Sequence, residues 1–217
     1  MSAPVDRTLL RGTEIGGLPL VCSTTGEALA DIRDVLYSPE AGTLVGFTLN
    51  KRGGLFAGPL KGALPIVVVH AIGPDAVIVE RPDVLDTLPA KDDASSTAAT
   101  ARNVLGDEVL TDGGDRLGVV TDLIVEVGVV SGAPPLPGVA PSGEVVGYQV
   151  APDAEASGRG RRKDVAQLLV PLPHTLAVSA TTLLVPASVG PFVRDDLAGF
   201  GGAVDEFRAL LAKTASR

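Results

Sequence analysis

Few residues in this chain have the chemistry for catalysis. In 217 residues there are two histidines, one cysteine and no tryptophan. His70 follows Val69 at the end of an apolar run, and His174 follows Pro171-Leu172-Pro173. Neither has partners at metal-ligand spacing. An isolated imidazole with no orienting group is a poor acid–base catalyst, so both read as structural or surface residues, and no metal site is expected. Cys22 lies beside a turn, with neither a base nor an electropositive setting in view. It reads as a small buried hydrophobe, not a nucleophile. Asp34 and Asp122 hold equivalent places in an internal repeat. They could form a carboxylate pair, one from each copy. The preferred reading is that each accepts backbone hydrogen bonds in a neighbouring turn, because duplication alone explains the match.

Two further groups are candidates for binding a partner. The run Gly158-Arg159-Gly160-Arg161-Arg162-Lys163 places Arg159, Arg161, Arg162 and Lys163 within five positions. Such a cluster suits phosphate or a carboxylate-rich partner. The plainer reading is an exposed, solvated loop that folding does not need. No glycine-rich phosphate motif of the nucleotide-binding kind occurs. Near the C-terminus, Leu197, Phe200, Val204, Phe207 and Leu211 recur at 3,4,3,4 spacing, an apolar stripe of helical period. Its first expected cover is the chain's own core; a second copy or a foreign protein are the alternatives. Asp195, Asp196, Asp205 and Glu206 oppose adsorption to an anionic membrane.

The elements that must position these groups come in two copies. Gly26 to Leu36 (GEALADIRDVL) recurs as Gly114 to Ile124 (GDRLGVVTDLI). Gly42-Thr43-Leu44-Val45-Gly46-Phe47 recurs as Gly143-Glu144-Val145-Val146-Gly147-Tyr148. Leu64-Pro65 recurs as Val170-Pro171, and the pairs Ala71-Ile72 and Val77-Ile78-Val79 recur as Ala177-Val178 and Leu183-Leu184-Val185. The order is kept and only insertions change the spacing. The repeated piece is about 80–90 residues, within the usual domain range.

In the first copy, strands are expected at Leu18 to Val21, Ile32 to Tyr37, Leu44 to Asn50, Leu64 to Val69 and Ala76 to Glu80. Turns at Ser23 to Gly26, Ser38 to Gly42 and Gly73 to Asp75 separate them. Short strands so punctuated suggest a small antiparallel barrel. The second copy carries two insertions, 128–142 and 151–163. Pro191 suits a first helical turn, and Gly199, Gly201 and Gly202 are expected to split the tail into two short helices, the second from Ala203 to Lys213. The plan is an arm (1–12), a first barrel (13–87), a linker (88–101), a second barrel (102–189) and a C-terminal helical segment (190–217).

The net charge is −8 and aromatics are 3% of the chain. Nucleic acid and anionic membrane surfaces would be repelled, and stacking platforms for bases or sugars lack material. A single cysteine suggests a reducing compartment. Residues 1–12 do not read as a signal peptide, and no run approaches the ~20 apolar residues of a spanning helix. A soluble cytoplasmic protein is expected.

The repeated pattern resembles the PRC-barrel family. The residues that carry the resemblance are Gly26, Leu29, Asp34, Gly42, Gly46, Phe47, Pro65 and Val77 to Val79. In the second copy they are Gly114, Leu117, Asp122, Gly143, Gly147, Tyr148, Pro171 and Leu183 to Val185. The resemblance covers roughly 13–85 and 102–188. It implies a mainly β fold: two small antiparallel PRC-type barrels in tandem, followed by a short helical tail. It also implies a protein-docking role, like the barrel in the cytoplasmic part of the photosynthetic reaction-centre H subunit or that of a ribosome maturation factor. Neither the membrane anchor of the first nor the separate N-terminal domain of the second is expected here, so neither specific function is expected to carry over.

The expectation is a non-enzymatic adaptor without cofactor, an accessory or assembly subunit of a larger complex that itself sits on or off a membrane, with homodimerisation open. Its candidate contact residues are Arg159, Arg161, Arg162, Lys163, Phe200, Val204, Phe207 and Leu211. The alternative is a sensor that binds a small molecule or ion in a cleft between the barrels.

Overall fold

The computed structural model describes residues 5–38, 42–53, 58–89, 99–100, 103–130, 141–152, 167–172, 177–178 and 182–215. The arm forms β1 (Val5–Arg11) and a single helical turn, α1 (Gly12–Ile15). The first copy then supplies β2 (Pro19–Cys22), β3 (Ala28–Tyr37), β4 (Leu44–Lys51), β5 (Pro59–Pro65), β6 (Val69–Ile72) and β7 (Val77–Val79). β8 (Ala99–Thr100) precedes the second copy, which supplies β9 (Glu108–Thr111), β10 (Arg116–Val130), β11 (Ser142–Ala151), β12 (Leu168–Pro171), β13 (Ala177–Val178) and β14 (Thr182–Val185). The chain ends in α2 (Phe200–Ala215). No helix among the described residues is long and apolar enough to cross a membrane.

The fold is mainly β, and its two sheets repeat one topology. One runs β5-β4-β3-β2-β7-β6 and the other β12-β11-β10-β9-β14-β13, with β8 added to β3 and β1 added to β10. In both, a parallel pairing joins the first and last strands of the copy: β2 with β7 and β9 with β14. The registers agree as well. Gly46 faces Pro65 and Phe47 faces Leu64; Gly147 faces Pro171 and Tyr148 faces Val170. The strand expected at Ile32 to Tyr37 lies within β3, and the equivalent stretch of the second copy lies within β10. The expectation of closed barrels goes further than this. Among the described residues each strand order is an open path.

Local chemistry explains the turns. Gly26 and Gly114 close the equivalent turns with φ of +72° and +89°, where a side chain would be strained. Each amide donates back across its turn, Gly26 N–H to the Cys22 carbonyl at 2.8 Å and Gly114 N–H to the Thr111 carbonyl at 2.9 Å. The β5 and β12 edges are also met in the same way. Ala63 N–H donates to the Pro89 carbonyl at 3.2 Å, and Leu169 exchanges two bonds with Arg194 at 2.6 and 3.0 Å. Each copy therefore extends past its last strand to a segment that returns along its own first edge.

Inward and outward residues alternate at the start of β3, where Ala30 and Ile32 are buried and Arg33 is exposed. The alternation then stops. Asp34, Val35, Leu36 and Tyr37 are all buried, as are their equivalents Asp122, Leu123, Ile124 and Val125. These stretches are covered on both faces, which is why they read as continuous apolar runs.

Two expectations need correction. Leu64 to Val69 is not one strand. β5 stops at Pro65, a 3-10 turn spans Ile66–Val68, and β6 begins at Val69. The chain has to leave β4 and reach β7 on the opposite side of the sheet, and that crossing needs a break. The tail is one helix from Phe200, not two, and Pro191 lies in a separate 3-10 turn, Ala187–Phe192. Gly201 and Gly202 fall in the first turn of α2. Their weak helix propensity, about 1 kcal/mol each, is overridden by the packing of Phe200, Val204 and Phe207.

The chain divides into two compact units. The first holds the described residues within 1–38, 43–101 and 125–144; the second holds Gly42 and those within 102–124 and 145–217. In the first unit the largest buried side chains include Ile15, Leu20, Ile32, Tyr37, Phe47 and Leu64, and in the second they include Leu123, Tyr148, Phe200 and Phe207.

Candidate functional site

Placing the sequence candidates in the fold separates them into three groups. Arg159, Arg161, Arg162, Lys163 and His174 lie outside the described residues. Phe200, Val204 and Phe207 share one face of α2 and are fully buried, while Leu211, one turn on, is half-buried. Their cover lies within their own unit: α2 packs on β12 and on the turn at Ala187–Phe192. The rings of Phe192 and Phe207 sit 5.4 Å apart, tilted by 44°.

The remaining candidates have local partners. His70 Nδ1 lies 3.1 Å from a Glu80 carboxylate oxygen. Cys22 is fully buried, with Sγ 3.1 Å from the Thr24 hydroxyl and 3.4 Å from the Glu80 carbonyl. The thiol can give its one proton to either oxygen, so its polar capacity is met inside the fold. Asp34 accepts from the Val35 N–H at 2.9 Å, and Asp122 from the Leu123 N–H at 2.8 Å. This is the backbone-acceptor arrangement, found within strands and not in turns. In the first copy it lies where the register of β3 against β4 shifts between Ile32 and Asp34. A bulge disrupts the ladder locally, and just beyond it the Asp34 carboxylate accepts from the next amide.

One surface feature was missed in the sequence. The crossover turn Ile66–Val68 packs on β4, yet it presents Val67 at 74% exposure and Val68 at 40%. Pro65 opens the turn with φ −68°, and the Val69 N–H closes it on the Ile66 carbonyl. The second copy differs at this point. Leu172, the equivalent of Ile66, is fully buried and its N–H donates to the Val146 carbonyl at 2.9 Å. The signal was available. Ile66-Val67-Val68-Val69 has no period-two alternation and follows a proline, which fits a turn better than a half-buried strand. Two adjacent valines on a pinned turn have stiff χ1 angles. They lose little freedom when covered, so the feature suits apolar contact with another surface.

Compared with known proteins, no family model matches the chain and no curated protein matches it.

Proposed function

We propose that this protein is a tandem of two PRC-type β units that serves as a docking module, an accessory or assembly subunit held in a larger protein complex. The observation that carries the reading is the exposed Val67–Val68 pair on the β5–β6 crossover. The repeated strand order and the Gly46–Pro65 and Gly147–Pro171 registers support the PRC reading, because these four residues hold equivalent places in both sheets. The partner is a protein with an apolar patch for the crossover and carboxylates for Arg159, Arg161, Arg162 and Lys163. Four cations in a chain of net charge −8 would add a salt-sensitive attraction to that partner.

Crosslinking and mass spectrometry in the native host test this. Wild type should recover a stoichiometric partner. The exposed double variant Val67→Thr/Val68→Thr should lose it while melting within about ±0.5 kcal/mol per site of wild type. The triple variant Arg159→Ala/Arg161→Ala/Arg162→Ala should weaken capture chiefly at low salt, again with little change in melting. Equal recovery by wild type and both variants, or no stoichiometric partner at all, would overturn the reading.

A further inference from the structure

The two copies do not each build a unit of their own. β1 precedes the first copy but pairs with β10 of the second, and β8 precedes the second copy but pairs with β3 of the first. Arg7 on β1 lies 3.7 Å from Glu126 on β10. The end of β10 and the start of β11 are second-copy sequence, yet they are grouped with β2 to β8 in the first unit. Val125 and Val127 there are fully buried.

The starts of β4 and β11 meet in a telling way. Thr43 bridges Glu144 in antiparallel sense. These two residues are equivalents in the repeat, so one position pairs with its own counterpart. The adjoining Val145 N–H donates to the Gly42 carbonyl at 2.8 Å. A Cβ on Gly143 would run into Leu44, at 2.8 Å from its Cδ2 and 3.0 Å from its Cβ. Pairing of a position with its own equivalent is the mark of an isologous contact, the kind that joins the subunits of a symmetric dimer.

We infer that the two copies complete each other's fold, as the subunits of a strand-exchanged dimer do, and that the protein unfolds as one cooperative body. Linker-joined domains with separate cores would melt independently. Here the β1, β8 and β10–β11 contributions tie the burial in one copy to the integrity of the other.

The chain carries its own reporters. It has two tyrosines and no tryptophan. Tyr37 lies in the first copy and Tyr148 in the second, and both are buried. Tyr148→Phe leaves Tyr37 as the only tyrosine signal, and Tyr37→Phe leaves Tyr148. Each full-length variant is unfolded in urea and followed by tyrosine fluorescence and by far-ultraviolet circular dichroism, which reports all strands. The expected result is that the fluorescence and dichroism curves superimpose within each variant, with one midpoint and one slope. A tyrosine transition that is complete before the dichroism midpoint, in either variant, overturns the inference. Should loss of a hydroxyl unfold one variant, peptide-resolved hydrogen exchange of wild type gives the same decision. Amides of β4 and of β14 should reach a common limiting opening free energy under added urea; two separate limits would sink the idea.

Discussion

Gly46 and Gly147 do the same work in the two copies. A Cβ on Gly46 would collide with the Leu64 carbonyl oxygen, and one on Gly147 with the Val170 carbonyl and the ring of Phe200. Leu64 and Val170 are themselves equivalents, so the close approach is a property of the repeat. Gly46→Ala, where the obstacle is backbone, and Gly147→Ala, where it is the Phe200 ring as well as backbone, should each cost about 3 kcal/mol, at the upper end for overpacking; urea unfolding measures it. The repeat made the equivalence of Gly46 with Gly147 and of Pro65 with Pro171 legible; that each glycine faces the proline of its own copy is shown only by the strand register. The Phe200 contact was not legible, because 53 positions separate it from Gly147 and no local pattern links them. Asp107 gives a prediction in pH. Burial raises its carboxyl above the ordinary range. The folded chain then holds that proton to a higher pH than the unfolded chain. Stability from the neutral group is full in acid and is lost as pH rises through the folded value, so at neutral pH the charge is a net cost. Asp107→Asn should raise the urea midpoint at pH 7 and leave it nearly unchanged at pH 3. Equal effects at both would show that desolvation of the charge is not the cause.

At the scale of elements, the strands could be read from turn residues and spacing, and the failures came where tertiary demands outweighed local pattern. The Ile66–Val69 run has strand composition, but the crossing from β4 to β7 turns its middle into a 3-10 turn. In α2 the glycines predicted a break that packing removed. That helix carries two opposite expectations. Gly202 is exposed, with nothing within 4 Å of an added Cβ, so Gly202→Ala should stabilise by about 0.5–1 kcal/mol through reduced backbone freedom of the unfolded chain. Phe207 is fully buried against Phe192, so Phe207→Ala should cost about 3–5 kcal/mol. The loss should not depend on protein concentration, since the cover belongs to the same chain. A Phe207→Ala chain that melts like wild type when dilute would place the helix outside the cooperative core.

For the whole molecule, duplication was the strongest message of the sequence, and the sharing of strands between copies was the part it concealed. Similarity between two stretches shows that each can form the same local structure. It does not show which copy of a strand each edge receives, because β1 has the same choice of edges in either arrangement. Charge adds a separate constraint at this scale. With net charge −8 and an isoelectric point near 4.7, chains repel one another at neutral pH, and this keeps an exposed apolar turn from self-contact. Near the isoelectric point that repulsion vanishes and Val67–Val68 becomes the adhesive feature. Light scattering of wild type should therefore rise as pH falls towards the isoelectric point. The Val67→Thr/Val68→Thr variant keeps the charge and nearly the shape, and removes only apolar surface, so its scattering should rise less at the same pH. Its melting should stay within about ±0.5 kcal/mol per site of wild type. Identical scattering from the two proteins would mean that the crossover is no stickier than the rest of the surface, and would remove the apolar half of the docking proposal while leaving the basic cluster to be judged by its own salt dependence.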